Sequence, residues 1–274
     1  MDASSPPSRR RSHRVSFVGG TGFELAGIVD SPDGSPLATA VFTHCFTCNK
    51  DLKAIVRISR RLAELGVRVL RYDLTGLGNS RGNFSDTNFS TNQADLRAAV
   101  AFLAENYEPP TALIGHSFGG ICSLSVASSL PSVRGVVTLA APSDTQHLAD
   151  LLERKNPAIR QQGLGEVVIG GRTYTIPQAM LDDFRRHDVA ADLQRLSKPC
   201  LLLHSPEDET LGYDHALRLF SLLNSRSVAE CPAAATSLIT LPGADHLLSN
   251  QPQDLPFVAT TITAFLHRYC PHPA

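Results

Sequence analysis

Apolar and polar positions follow two rhythms along this chain, and each predicts one kind of element. A rhythm of two marks strands. Arg14–Val18 and Phe23–Val29 alternate on either side of Gly19-Gly20-Thr21-Gly22 and predict an opening hairpin. Ala38–Phe42, Val67–Tyr72, Thr111–Ile114, Arg134–Leu139, Cys200–Leu203 and Ser237–Leu241 are short runs, mostly apolar, as expected of strands covered on both faces. A rhythm near 3.6 marks helices. Lys53–Leu65 carries Ile55, Ile58, Leu62 and Leu65 on one face and stops at Gly66. Gln93–Tyr107 carries Leu96, Val100 and Leu103, and Pro109-Pro110 ends it. Gly120–Ala127, Tyr213–Leu223 and Leu255–Tyr269 complete the helices. Strands alternating with helices predict an α/β fold: a mostly parallel, eight-stranded sheet with helices on both faces. Ligand sites in such sheets lie at the carboxyl ends of the strands.

Two stretches break the pattern. Asp73–Asn92 is a long Gly/Asn/Ser loop, and its Asn83–Asn92 part is expected to wall an acyl pocket. From about 144 to 196 two helical stretches flank Val167–Ile176, a hairpin signal with Gly170-Gly171 at its turn. This reads as a small cap inserted over the end of the sheet. Leu148, Leu151 and Leu152 form a short apolar stripe there, expected to pack onto the sheet. Residues 1–13 are Ser/Pro/Arg-rich and read as a disordered basic tail, leaving 14–274 as one domain with its cap. Cys231–Ala235 is an Ala/Pro linker.

Composition narrows the class. With 274 residues and 42% hydrophobic positions the chain can bury a sizeable core. A net charge of −1 gives no reason to expect nucleic acid or an anionic membrane as a partner. No apolar run is long enough to span a bilayer. Arg9-Arg10-Arg11 suggests a twin-arginine signal, but no hydrophobic region follows it. A cytoplasmic protein is expected, a monomer or homodimer, with its six cysteines reduced and mostly buried.

The candidate chemistry centres on Gly115-His116-Ser117-Phe118-Gly119, placed between a predicted strand and a predicted helix. In a strand–turn–helix this tight, a side chain at 115 or 119 would clash, so glycine belongs at both places. Ser117 is lifted clear of the backbone, and the helix behind it points N–H groups at any negative oxygen formed there. A serine hydroxyl needs a base, and the base an orienting carboxylate. His246 lies in the loop after the last strand, at the same edge of the sheet as Ser117. Asp208, within Glu207-Asp208-Glu209, follows the strand ending at Leu203, and Asp144 is the reserve acid. Acyl transfer also needs two N–H donors for the oxyanion. The backbone N–H of Phe118 is one; Phe46, in the His44-Cys45-Phe46 loop, offers the other. Cys45 and His116 are candidate pocket residues. Asp73, Ser80 and Asp245 are expected to brace loops.

Cys45 and Cys48 have C-x-x-C spacing. A zinc site needs a second ligand pair, which is not evident beyond His44, and a thioredoxin-type pair would open a helix in another context. Neither metal nor redox chemistry is expected, and no cofactor. The two cysteines are expected to be small apolar residues packed beside the loop.

With these motifs the chain resembles the α/β-hydrolase superfamily, whose serine, acid and base follow in the order found for Ser117, Asp208 and His246. His44–Lys50 and Asp73–Phe84 are similar to loops of cinnamoyl and feruloyl esterases. His44–Cys48, Thr87–Ser90, Leu203–Thr210 and Ala244–Leu248 also resemble bacterial hydrolases that occur fused to an OsmC-like domain. The likeness covers about residues 14 to 270. Cys45 stands where the esterase loop has glycine, which narrows the acyl pocket. No OsmC-like half follows Ala274, so peroxide chemistry is not implied. The resemblance implies a serine carboxylesterase working through a covalent acyl-enzyme. Its expected substrates are small soluble esters with short or compact aromatic acyl groups. A thioesterase, lactonase or amidase would use the same residues, and a non-catalytic binding protein of this fold is the remaining alternative.

Overall fold

A computed structural model describes residues 10–225 and 235–272. The first nine residues of the expected tail and most of the 231–235 linker lie outside them. The opening hairpin is longer than the sequence pattern suggests. β1 (Arg10–Val18) and β2 (Glu24–Pro32) pair antiparallel from Arg10↔Pro32 to Val18↔Glu24. The strand therefore begins inside the span expected to be a tail, because Arg10–His13 find backbone partners along β2.

Next come β3 (Ala38–Thr43), α1 (Lys53–Glu64), β4 (Val67–Tyr72), α2 (Phe89–Asn106), β5 (Ala112–His116), α3 (Phe118–Ala127) and β6 (Gly135–Leu139). β9 (Cys200–His204), α8 (Asp214–Asn224), β10 (Thr236–Thr240) and α9 (Asp254–Tyr269) close the chain. The eight-stranded sheet has the order β1-β2-β4-β3-β5-β6-β9-β10, with only β1–β2 and β2–β4 antiparallel.

Successive residues of a strand point to opposite faces, and the core divides accordingly. Val41, Leu70, Leu113, Val136 and Leu202 join one buried cluster with Leu96, Leu103 and Ile121 of α2 and α3. Their strand neighbours Phe42, Val69, Ile114, Val137 and Leu203 join the other, with Ile55, Ile58 and Leu62 of α1 and Val258, Ile262 and Leu266 of α9. The central strands read as continuous apolar runs because both faces are covered.

α2 starts at Phe89, four residues before the predicted Gln93. Asn88 caps it: its side chain accepts from Thr91 N–H at 2.9 Å, and the Thr91 hydroxyl accepts from Asn88 N–H at 2.8 Å. The reciprocal cap hides inside a run of Asn, Ser and Thr that reads as loop.

Between β6 and β9 lie α4 (Gln146–Lys155), α5 (Ala158–Gln162), the hairpin β7 (Leu164–Ile169) and β8 (Arg172–Pro177), α6 (Gln178–Arg186) and α7 (Val189–Arg195). No described helix is long and apolar enough to cross a membrane.

Candidate active site

β5 and α3 meet at Ser117, which has φ 52° and ψ −121°. A positive φ is costly for a residue with a side chain, and such strain survives only where its surroundings enforce it. Here Ser117 N–H donates to Leu139 O at 2.7 Å, and Ser117 O accepts from Gly120 N–H at 2.8 Å. The flanking glycines are required by contact. A Cβ on Gly115 would stand 2.2 Å from Gly119 O, and one on Gly119 would stand 2.3 Å from Thr43 O.

The structure brings His246 and Asp208 together: Nδ1 of His246 donates to Oδ2 of Asp208 at 2.7 Å. Oδ1 of Asp208 accepts from Thr210 N–H and Leu211 N–H, both at 2.9 Å. Burial opposes ionisation of Asp208. Hydrogen bonds from His204, from His246 and from the Leu211 backbone outweigh it and hold the carboxyl well below the usual carboxylate range. Asp208 therefore stays an anion, with one oxygen on His246 Nδ1–H and the other on the Thr210 and Leu211 N–H groups. His204 was not anticipated as part of the site. Its Nε2 donates to Leu211 O at 2.9 Å and approaches Asp208 Oδ2 at 3.4 Å. Asp144, the reserve acid, is engaged elsewhere. It accepts from His147 N–H at 2.9 Å at the start of α4 and pairs with Arg218 at 3.2 Å.

Ser117 and His246 open on one cavity of ≈ 540 Å³. Cys45 and Phe46 line it too, but His116 does not. His116 is buried behind His246, where its Nε2 donates to His246 O at 2.8 Å and the ring centroids are 5.1 Å apart. Burial and the neighbouring His246 push its pKa down to about 3, so it is a neutral prop for the His246 loop. Asn83–Asn92 does not line the cavity either. It stands behind the wall through Phe84 and Phe89, which pack on Phe46 and Phe118 with centroids 5.3 and 5.5 Å apart. The stripe Leu148, Leu151 and Leu152 does face the cavity, together with Tyr174 of β8. A helical stripe reads equally well as packing until its neighbours are known.

The backbone N–H of Phe118 is the first of α3 and has no partner within the helix. That of Phe46 is aimed by its peptide. Cys45 O accepts from His44 Nδ1 at 2.7 Å and from Cys48 N–H at 3.2 Å. In a trans peptide the carbonyl and the next N–H point to opposite sides, so holding Cys45 O inward turns Phe46 N–H outward. His44 is fixed in turn because its Nε2 accepts from Leu74 N–H at 3.1 Å.

The expectation for the cysteines is corrected. Cys45 and Cys48 form a disulfide across this turn, with Cα atoms 5.2 Å apart. The turn that makes the 48→45 hydrogen bond also brings the two Cα atoms within disulfide range. Cys122, Cys200 and Cys270 are buried, as expected. Asp73 does brace the loop: it accepts from Lys50 N–H at 2.6 Å, Lys50 Nζ at 2.9 Å and Asn79 N–H at 2.8 Å. Ser80 ties Asp73 O to Ala26 N–H at 2.6 and 2.9 Å. Asp245 closes its own loop on Ser249 N–H at 2.5 Å. Among the described residues no group of His, Cys, Asp and Glu could hold a metal ion.

Comparison with known proteins places the chain. The alpha/beta hydrolase family matches residues 40–255. The chain belongs to that family. It is 37% identical to the esterase domain of a Rhodothermus marinus protein, with TM-score 0.72, 94% of this chain and 99% of that chain covered. The ferulic acid complex of Est1E from Butyrivibrio proteoclasticus shares the fold at TM-score 0.75 and 20% identity, covering 93% and 98%. Among curated proteins, the mitochondrial palmitoyl-protein thioesterase ABHD10 of Rattus norvegicus is 23% identical over 65% of this chain. The match spans 61% of that relative, under two thirds of its length. This alpha/beta hydrolase thus resembles an esterase domain in sequence and structure, and a thioesterase distantly in sequence.

Proposed function

We infer that the protein is a serine carboxylesterase for compact esters. The observation that carries this is one cavity holding Ser117 on its strained elbow and His246 tied at 2.7 Å to a buried, anionic Asp208. His246 keeps its proton on Nδ1, leaving Nε2 as the lone-pair site toward the cavity. Nε2 takes the Ser117 proton as Oγ bonds to the ester carbonyl carbon, and the carbonyl oxygen becomes an oxyanion. The N–H groups of Phe46 and Phe118 bind that oxyanion, aided by the positive end of α3. His246 returns the proton to the departing alkoxide, and the acyl group stays on Ser117. Water then repeats the sequence and releases the acid. Asp208 remains ionised throughout and stabilises the imidazolium. The esterase domain at 37% identity supports the ester-hydrolysing reading, and a mostly apolar cavity of ≈ 540 Å³ supports short or compact aromatic acyl groups. The segment from about 144 to 196 acts as the cap of a single domain, since its residues form one wall of that cavity.

The decisive experiment is labelling by a fluorophosphonate probe together with p-nitrophenyl acetate turnover. The probe should mark Ser117, and Ser117→Ala should lower kcat by about 10⁴-fold or more while the fold survives. More than about a tenth of wild-type activity in Ser117→Ala would sink the assignment. A thioesterase is the second reading, favoured by the likeness to palmitoyl-protein thioesterases. Matched oxygen and thiol esters of one acyl group separate the two by their kcat/KM ratio.

A further inference from the structure

The cavity beside Ser117 is lined by two cations, Lys155 and Arg172, and by no aspartate or glutamate. Arg160, Arg185, Arg186 and Arg195 of the same segment have carboxylate partners in Glu153, Asp150 and Glu153, Asp183, and Asp192, whereas Arg154, which does not line the cavity, has none among the described residues. Lys155 and Arg172 have no ion pair among the described residues. Two exposed, unpaired positive charges on a largely apolar wall are a recognition feature for an anion.

Their positions give the anion's place. α4 starts beside the serine. It follows β6, whose Leu139 O accepts from Ser117 N–H, and Thr145, just before it, donates to Phe184 O at 2.5 Å. The Phe184 ring lies 5.4 Å from that of Phe118. From there the cavity face of α4 runs Leu148, Leu151, Leu152, Lys155, a helical i, i+3, i+4, i+7 stripe. At about 1.5 Å per residue, Lys155 stands roughly 10 Å along the helix from Leu148. β8 repeats the arrangement. Tyr174 donates to Thr47 O at 3.2 Å and so sits at the oxyanion turn. Arg172 is on the same strand face, two residues or about 7 Å farther toward the hairpin tip. On α4 the apolar stripe of Leu148, Leu151 and Leu152 separates the serine end from Lys155, and on β8 the Tyr174 ring separates the Thr47 end from Arg172.

We propose that this site prefers esters whose apolar body ends, away from the scissile bond, in an anionic group, a carboxylate or a phosphate. The proposal rests on the esterase reading and names its substrate class. Lys155 and Arg172 are specificity residues: they hold the remote anion and take no part in bond making.

The test compares p-nitrophenyl octanoate with p-nitrophenyl hydrogen suberate, which has the same chain length and a terminal carboxylate, and with the p-nitrophenyl ester of 8-phosphonooctanoic acid. The anionic esters should have kcat/KM about tenfold above the neutral one, the scale of two partly solvated ion pairs. The better of the two identifies carboxylate or phosphate chemistry. Raising NaCl to about 0.5 M should shrink the preference. Lys155→Met with Arg172→Met should bring the anionic-to-neutral ratio close to one, and Lys155→Arg should keep it. A ratio near one in the wild type, or a preference that survives loss of both cations, overturns the proposal and leaves the esterase standing. If no ester is hydrolysed, the esterase reading fails, and calorimetry with monomethyl suberate and methyl octanoate decides the anion site alone. Tighter binding of the suberate, lost in the double variant, supports it; equal binding overturns it.

Discussion

At the scale of single residues, the candidate acid can be distinguished from its neighbour. Asp208 gives one oxygen to His246 and the other to two backbone N–H groups. Asp208→Asn would present an amide to Nδ1 of His246 and favour the wrong tautomer, so kcat should fall by about 10⁴-fold with the fold kept. Asp144→Asn alters a helix-start contact, a contact from the Ser143 hydroxyl and an exposed pair with Arg218. It should cost about 1 kcal/mol or less in stability and leave kcat within a few-fold. Steady-state kinetics on the two variants side by side checks both; a mild Asp208→Asn with a severe Asp144→Asn would reverse the assignment.

At the scale of elements, the turn Cys45–Cys48 carries the Phe46 N–H, the proposed second oxyanion donor. Four ties hold it: His44 on Cys45 O, Cys48 N–H on the same oxygen, the Tyr174 hydroxyl on Thr47 O, and the disulfide. Closing so short a loop contributes on the order of 2 kcal/mol by chain entropy. Reduction should lower thermal stability by that scale and kcat only several-fold, since three ties remain. Melting curves and kcat with and without dithiothreitol measure both, and Cys48→Ser should match the reduced enzyme. Loss of all activity on reduction would mean that the disulfide alone aims Phe46 N–H. The bridge was not legible in the sequence, because C-x-x-C spacing does not reveal a turn. The elbow was legible because its two glycines answer to backbone contacts only 2.2 and 2.3 Å away. The central strands were legible because both their faces are buried. The cavity wall was not: Leu148, Leu151 and Leu152 make the same pattern whether they face a sheet or a substrate. His204 was hidden too, being one more residue at the end of an apolar strand.

At the scale of the whole molecule, burying neutral histidines at the carboxyl edge of the sheet makes the fold sensitive to acid. Burial pushes the His116 pKa down to about 3, and His44 is lowered for the same reason. In the unfolded chain a histidine takes up its proton near about pH 6.5. Below that pH the unfolded state binds protons that the folded state refuses, so stability falls as the pH drops from about 6.5 toward 3. Asp208 adds to this in a lower window, since its depressed carboxyl stabilises the fold above the ordinary carboxylate range and ceases to do so as it protonates. The two contributions can be separated. His116→Gln offers an N–H in place of the Nε2–H held by His246 O, but it cannot take up a proton. Its melting temperature should therefore decline less than the wild type's between about pH 7 and 4. Equal slopes for variant and wild type would show that His116 is not kept neutral by the fold. Asp208→Asn should retain the histidine-dependent slope and lose only the steeper fall at lower pH. Calorimetric melting temperatures for the three proteins from about pH 7 down to about pH 2 give the answer without reference to activity.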